Sequence, residues 1–304
     1  MKKTFSKQIR GNAGLLLLAL PSVLFIFIFN YLPLYGLILP FKNLNYELGF
    51  LKSPWAGLNN FKYLFNSDDI LIATQNTLLY NFAFIFIGTF CSVVTALMLF
   101  ELAKKFTKVY QTVLFFPYFL SWVIVSYICT ALFDMDYGIL NKILGMMGNE
   151  PFPWYSDTSY WPLIIVVVAV WKGLGYGSVL YYAAMVGFSS EYFEAAKIDG
   201  ATKLQQITRI TIPLLKPFII MMIILQIGKI FYSDFGLFYY VPRESSLLLP
   251  VTNVIDTYVY RVLKLNGDIG MSSAAGFYQS VVGFVLVLAA NKIVNRIDSE
   301  SALF

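Results

Sequence analysis

Three charged side chains stand inside long apolar stretches of the sequence: Lys172, Lys229 and Asp234. A charge within a membrane span is costly and commonly faces a path for a solute or an ion. Helical spacing adds polar and aromatic neighbours on three faces: Lys172 with Tyr176; Gln226 with Lys229 and Ser233, next to Asp234; and Tyr118 with Trp122 and Ser126. Amide, hydroxyl and ammonium groups hydrogen-bond sugar hydroxyls, and aromatic faces stack on sugar rings, so this set predicts a solute pathway. The alternative is structural: Asp234 pairs with Lys172 or Lys229, and the rings only pack.

Several kinds of chemistry are excluded by composition. The chain has no histidine, which removes Ser-His triads, His-ligated zinc and imidazole proton relays. It has no G-x-x-x-x-G-K-[ST] loop to hold nucleotide phosphates, and the glycine-rich segment 173–177 lies inside an apolar stretch, where it predicts close helix packing. Cys91 and Cys129 lie in apolar runs and are expected to be small buried residues. We therefore predict no catalytic residue, no metal site and no cofactor bound by this chain.

The elements that would position these residues are membrane-spanning helices. Of 304 residues, 58% are hydrophobic and only 13% are charged, about half the charge of an ordinary soluble domain. A helix needs about 20 mostly apolar residues to cross a bilayer. The sequence predicts one all-α membrane domain over 1–304 with six transmembrane helices, at 13–41, 76–103, 109–133, 160–187, 213–240 and 269–292. Pro21, Pro33 and Pro40 predict kinks or an early end in the first of them.

Basic residues predict the orientation of this bundle. Most of the 22 lysine and arginine residues fall on one side, and the positive-inside rule assigns that side to the cytoplasm. Both termini are then cytoplasmic. The first apolar stretch is too long for a signal peptide and no A-x-A site follows it, so it is expected to be retained. The basic residues on this side are Lys2, Lys3, Lys7, Arg10, Lys104, Lys105, Lys108, Lys197, Lys203, Arg209, Lys216, Lys292 and Arg296.

The cytoplasmic loop 189–213 reads as a short helix, a break and a second helix that enters the membrane. Ser189 or Ser190 is suited to cap the first helix, with Glu191 near its positive end. Gly200 is suited to the left-handed conformation that ends it. One interpretation is a plain interfacial connector between two spans.

The spacing within this loop favours a more specific interpretation. Glu194, Ala195 and Ala196 are followed after three residues by Gly200, and then by Ile210 and Ile212-Pro213. This pattern resembles the EAA loop of ABC importer permeases, with Ile212 where that family usually has leucine. The resemblance implies the type I importer permease fold and a coupling helix that docks on a homodimeric cytoplasmic ATPase, which carries the ATP and Mg²⁺. The docking residues would be Glu194, Ala195, Ala196, Asp199 and Gly200.

Four further segments narrow the resemblance to the polysaccharide-type, LplB-like branch of the sugar permeases. They are 30–36 (NYLPLYG), 55–61 (WAGLNNF), 116–122 (FPYFLSW) and 256–261 (DTYVYR). Pro40 and Tyr118 depart from the pattern of that branch. Members import oligosaccharides across the bacterial plasma membrane with a second related permease, the ATPase pair and an extracellular solute-binding lipoprotein. These partners and this localisation are what the resemblance implies, and nucleic acid is not expected as a partner.

The outer segments carry weaker signals. Trp154, Tyr155, Tyr160 and Trp161 are interpreted as an interfacial aromatic belt. Residues 42–69 are polar enough for a folded cap, and 138–148 and 247–265 look like amphipathic helices. The first and last of these segments either receive the binding protein or pack as a simple lid.

Two other classes of protein are alternatives to a permease. A stand-alone secondary transporter or channel predicts internal symmetry and intramembrane carboxylates, but no repeat is evident and Asp234 is the only deeply placed carboxylate besides Glu101 near a membrane edge. A membrane glycosyltransferase needs an acidic cluster in a loop. The candidates, Asp68-Asp69 and Asp134 with Asp136, fall on the predicted outer side, away from nucleotide-sugar donors.

Overall fold

The computed structural model describes residues 11–297, and the regular secondary structure in that range is helical, apart from one isolated antiparallel bridge between Lys42 and Trp55. Lys2, Lys3, Lys7 and Arg10, which contribute to the predicted orientation, lie outside the described residues. The helices that we number α1 to α14 are Ala13–Phe41, Gly49–Lys52, Asn59–Phe65, Asp68–Glu101, Lys104–Phe119, Trp122–Phe133, Ile139–Met146, Trp161–Val186, Ser190–Ile198, Lys203–Ile227, Phe235–Tyr240, Leu249–Thr252, Ile255–Asn266 and Ile269–Ile297.

Five of these helices, α1, α4, α8, α10 and α14, are each long and apolar enough to cross a membrane. Helix α4 begins at Asp68, earlier than the predicted 76, because Ser67 caps it and Asp68 and Asp69 suit the positive end of a helix. The predicted amphipathic outer helices are also present, as α7 and α13.

The predicted third span, 109–133, is not one straight helix. Helices α5 and α6 meet at an angle of 96° across a break at Leu120 and Ser121, and they form a sixth span only when counted together. Pro117 lies in the last turn of α5, and the Ser121 hydroxyl accepts a hydrogen bond from the Ile124 N–H at 3.3 Å, which starts α6 afresh.

The predicted fifth span, 213–240, is interrupted as well. Helix α10 ends at Ile227 and α11 begins at Phe235, so residues 228–234 carry no regular helix. The predicted helical face of Gln226, Lys229 and Ser233 therefore does not form. Asp234 is the physical reason for the restart, because its side chain accepts hydrogen bonds from the Gly236 and Leu237 N–H groups.

Most of helix α1, up to Tyr31, is not packed against the rest of its own chain. None of the residues in Ala13–Ile26 or Phe27–Tyr31 is buried. Only the last segment, Leu32–Phe41, packs against α14, through contacts such as the edge-to-face pair of Phe41 and Phe277 at 5.5 Å. The prolines do not end the helix early. It passes instead into a π-helical turn and then a 3₁₀-helical segment that begins at Leu32, next to Pro33.

The core clusters hold α4, α8, α10 and α14 together. The glycine-rich segment packs closely as predicted, because a Cβ at Gly175 would overlap the Leu114 carbonyl and one at Gly177 would overlap the Ser92 hydroxyl. Cys129 is buried as expected, whereas Cys91 is partly exposed.

The interpretation of four aromatic residues as an interfacial belt is wrong for three of them. Trp161 is fully buried, and Trp154 and Tyr155 pack against the same core cluster. The reason is polar: the Trp161 indole donates to the Trp154 carbonyl at 2.6 Å, and the Trp154 indole donates to Asn141 Oδ1 at 3.0 Å. Tyr160 is the member that stays exposed.

Candidate functional site

A cavity of about 430 Å³ lies where the two broken spans meet α4 and α8. Six of the predicted pathway residues line it: Tyr118, Trp122, Lys172, Tyr176, Gln226 and Asp234. Ser126, Lys229 and Ser233 do not. Ser126 donates its hydroxyl to the Val123 carbonyl of its own helix at 2.7 Å, Lys229 is exposed in the turn after α10, and the Ser233 backbone is held by Asp256.

Lys172 stabilises the break between α5 and α6. Its ammonium group donates hydrogen bonds to the carbonyls of Tyr118 at 2.8 Å and Pro117 at 3.4 Å, in the last turn of α5. It also lies 5.5 Å from the Tyr118 ring centroid and 5.1 Å from that of Trp122. Helix ends leave carbonyls without intrahelical partners, so a cation here satisfies backbone groups and positions two aromatic rings.

Asp234 binds the free backbone N–H groups at the start of α11, as Lys172 binds the free carbonyls at the end of α5. One carboxylate oxygen accepts from the Gly236 N–H at 2.9 Å and the Leu237 N–H at 3.3 Å, and the other accepts from the Trp122 indole N–H at 2.9 Å. Any Cβ at residue 236 would overlap the Trp122 ring. Trp122 therefore joins the two broken spans directly.

The predicted alternative, an ion pair of Asp234 with Lys172 or Lys229, is wrong. Among the described residues, the ion pair that the structure contains joins Lys203 to Glu101. Lys172 and Asp234 each contact Trp122 without forming an ion pair with each other, and Lys229 lies outside the cavity.

The rings of Tyr118 and Tyr176 form an aromatic surface in this cavity. Their centroids are 4.9 Å apart and their planes differ by 11°, and both residues are more than two-fifths exposed. Gln226 adds an amide that contacts the Thr89 hydroxyl at 3.5 Å. The arrangement combines a flat aromatic surface with a few polar groups, which suits a ligand that has apolar faces and hydroxyl edges.

Sequence reasoning missed the residues that hold the interrupted segment 228–234. Backbone groups freed within a membrane need partners, and three side chains from other helices provide them. Asn81 donates to the carbonyls of Ile230 at 3.0 Å and Tyr232 at 3.1 Å, and Gln279 donates to that of Phe231 at 2.8 Å. Asp256 accepts from the Ser233 N–H at 2.8 Å. The sequence feature that could have indicated these partners is an amide side chain within an apolar stretch, namely Asn81 and Gln279.

Asp256 is a carboxylate kept at low exposure by this arrangement. Gln279 donates to the same oxygen, Oδ2, at 3.1 Å. Burial raises the pKa of Asp256 above its ordinary value, and the two N–H donors oppose that shift. The residue thus belongs to the framework of the interrupted span.

The loop 189–213 has the predicted local structure. The Ser189 hydroxyl caps α9 by accepting from the Glu191 N–H at 3.3 Å, and Gly200 ends it with φ of +76°. The Gly200 N–H donates to the Lys197 carbonyl at 3.1 Å. Thr202 and Gln205 then form a capping box at the start of α10.

Helix α9 is attached by one face and exposed on the other. Phe193 contacts Phe100 at 5.8 Å, and the Lys203–Glu101 ion pair ties the start of α10 to the end of α4. Glu194, Ala195, Asp199 and Gly200 are exposed and Ala196 is half-buried. Two apolar residues that the sequence analysis did not single out are also exposed, Ile198 at 87% and Tyr192 at 56%.

Comparison with known proteins identifies the class to which this architecture belongs. Residues 76–299 match the model of the family described as the binding-protein-dependent transport system inner membrane component. The chain belongs to this family, whose members are ABC importer permease subunits located in the inner membrane.

Individual relatives extend over nearly the whole chain. Protein LplB of Bacillus subtilis is 34% identical, with 96% of this chain and 92% of LplB covered. The polygalacturonan/rhamnogalacturonan transport system permease protein YteP of the same organism is 31% identical, with 94% and 89% covered. A crystal structure of a bacterial ABC transporter involved in the import of the acidic polysaccharide alginate matches with a TM-score of 0.88 and 29% identity, covering 97% of this chain and 99% of that one.

Proposed function

We propose that this chain is one permease subunit of an ATP-driven importer that carries an oligosaccharide across the bacterial plasma membrane. The observation that carries the proposal is the cavity itself, with its stacked Tyr118 and Tyr176 rings beside Lys172 at the break of two spans. The names of its relatives support this substrate class, because they include transporters of polygalacturonan, rhamnogalacturonan and alginate. Uronic acid oligosaccharides are therefore the first substrates to test.

Energy in this proposal comes from a cytoplasmic ATPase pair that binds ATP and Mg²⁺. The exposed face of α9 is the docking surface, with Glu194 and Asp199 for charge pairing and Ala195, Ala196 and Gly200 for close approach. Ile198 supplies an apolar contact, since it is 87% exposed. The loop and both termini then lie on the cytoplasmic side.

Two further partners complete the proposed complex. A second, related permease supplies the other half of the pathway, and the unburied helix α1 offers it a long apolar surface. An extracellular solute-binding protein delivers the substrate at the opposite end. This is supported by the related alginate transporter, whose structure in complex with an alginate pentasaccharide-bound periplasmic protein matches this chain with a TM-score of 0.85.

Reconstituted transport tests this function with a matched pair of variants. We expect ATP-dependent uptake of a labelled oligosaccharide by the complete complex in proteoliposomes, and its loss in Gly200→Pro. Proline cannot adopt φ of +76° or keep the hydrogen bond to the Lys197 carbonyl, so α9 loses its ending.

Gly148→Pro is the control. Gly148 also has a positive φ, of +80°, and also donates its N–H to a carbonyl three residues earlier, that of Gly145, but it lies outside the coupling loop. The Gly148→Pro variant should retain uptake, and both variants should still insert into the membrane. Uptake that needs no ATP, or that survives in Gly200→Pro, would contradict the proposed function.

A further inference from the structure

A second cavity, of about 510 Å³, lies at the other end of the molecule from the coupling loop. It is formed by residues 42–63 and 267–270, none of which lines the Lys172 cavity. Helix α4 relates the two ends: it begins at Asp68, just after this region, and ends at Glu101, which pairs with Lys203 of the coupling loop. In the proposed orientation this cavity opens on the extracellular side.

The walls of this cavity are built by specific hydrogen bonds. Lys42 and Trp55 form the antiparallel bridge, and the adjacent Asn43 N–H donates to the Pro54 carbonyl at 2.9 Å. The Asn60 amide donates to the carbonyls of Pro40 at 2.8 Å and Lys42 at 3.0 Å. The two segments that border the cavity are thus held in one register.

Lys42 fixes the position of the Trp55 ring. The lysine is only 3% exposed, its ammonium group donates to the Leu51 carbonyl at 2.5 Å, and it lies 5.2 Å from the Trp55 ring centroid. A cation held against an aromatic ring is stabilised by the ring's quadrupole. Trp55 itself remains 69% exposed.

The cavity combines exposed aromatic surface with amide and carboxylate groups. Tyr46 and Tyr63 are 76% and 67% exposed and border it together with Trp55. Asn59 and Asp268 also line it, and an amide offers both donors and acceptors while a carboxylate offers acceptors. A pyranose ring presents an apolar C–H face and a rim of hydroxyl groups, which is the complement of this surface. Aromatic residues that serve only as an interfacial belt would face lipid and would not need a polar cavity between them.

We propose that this cavity is a second carbohydrate subsite, which binds a pyranose ring of the oligosaccharide before that ring reaches the Lys172 cavity. The ring stacks on Trp55 and Tyr63, and its hydroxyls bond to Asn59 and Asp268. The substrate class rests on the proposed function. The two cavities have no lining residue in common, so an experiment can reject this subsite without rejecting the proposed function.

Saturation transfer difference NMR on the full chain in lipid nanodiscs tests the subsite, because it detects weak sugar contacts. The probes are tetrasaccharides prepared from pectin, alginate and starch, without any binding protein. We expect transfer to the ring protons of at least one probe. It should fall about fivefold in Trp55→Ala and in Tyr63→Ala, since each removes an aromatic contact. Trp55→Phe should keep most of it.

Controls separate the possible outcomes. Tyr137→Ala removes another exposed tyrosine, which does not line this cavity, and should leave transfer unchanged. Trp122→Ala should weaken uptake while most of the transfer remains. The subsite is overturned if no probe receives saturation transfer, or if the transfer survives in Trp55→Ala and Tyr63→Ala. It is also overturned if the transfer is lost in Trp122→Ala alone. That last result would leave the proposed function standing. The subsite is overturned as well if the outer variants change only ATPase stimulation by the binding protein, since that identifies a protein-docking face.

Discussion

Lys172 and Asp234 are opposite charges in one cavity, yet each forms its hydrogen bonds with the end of a helix. The Lys172 ammonium bonds to carbonyls in the last turn of α5, and Asp234 accepts from the first N–H groups of α11. Helix C-termini carry partial negative charge and N-termini partial positive charge, so both arrangements are favourable. Because the two charges do not pair with each other, the lysine keeps an N–H that can serve a solute hydroxyl or carboxylate.

Replacing Lys172 by methionine tests its role in transport. We expect Lys172→Met to lower substrate uptake about tenfold, which corresponds to about 1.4 kcal/mol, because the last turn of α5 loses its hydrogen-bond donor. Uptake kinetics would be measured together with co-purification of the ATPase, which should be unchanged. Lys229→Met is the matched control, since Lys229 is exposed outside the cavity, and it should transport normally. Equal uptake in the two variants would leave Lys172 with a packing role only.

Sequence reasoning at the residue scale succeeded where one helix face was enough. Lys172 and Tyr176 are neighbours on one face of α8, and both line the cavity. Tyr118 and Trp122 line it too, but they belong to α5 and α6 on either side of the break, so the single helical face predicted for them and Ser126 does not form. Sequence reasoning failed at Lys229 and Ser233 because the helix that was assumed to align them stops at Ile227.

At the scale of elements, the apolar stretches predicted where spans lie because lipid selects for apolar side chains over about 20 residues. The two interruptions could not be predicted in the same way. Their stability depends on partners far away in the chain, such as Asn81 and Gln279 for residues 228–234 and Lys172 for residues 120–121. Local periodicity carries no information about such partners.

Removing one of these partners should weaken the interrupted span. Gln279→Leu leaves the Phe231 carbonyl without its donor, and an unsatisfied buried group costs about 1–3 kcal/mol. We expect a lower thermal unfolding midpoint of the purified chain in detergent. Ser280→Ala is the neighbouring control, because its exposed hydroxyl bonds only within α14, to the Gly276 carbonyl. A midpoint shift that is the same in both variants would show that Gln279 is not specifically required.

On the scale of the whole molecule, α1 is the helix that is not packed into the core of its own chain over residues 13–31. Its unburied residues face either lipid or another subunit, whereas α4 packs in core clusters with α8, α10 and α14. Composition predicted that α1 spans a membrane but gave no indication that it would stand apart from its own bundle, because a lipid-facing and a subunit-facing helix are equally apolar.

Photo-crosslinking tests whether α1 contacts the second permease. A benzoylphenylalanine at Phe25, which is 62% exposed, should form an adduct with the co-expressed second permease. The same chain expressed without that permease is the control and should give no such adduct. If the reactive group meets only lipid in the assembled complex, α1 is a peripheral anchor and the partner binds elsewhere.

The contact between Gly236 and Trp122 has a consequence for anyone who redesigns the cavity. There is no room for even a methyl group at residue 236 next to the Trp122 indole. The side chains at positions 122 and 236 therefore compete for the same space, although they are far apart in the sequence. Enlarging residue 236 therefore requires a smaller side chain at residue 122 in the same clone, and a screen that varies one position at a time does not sample that combination.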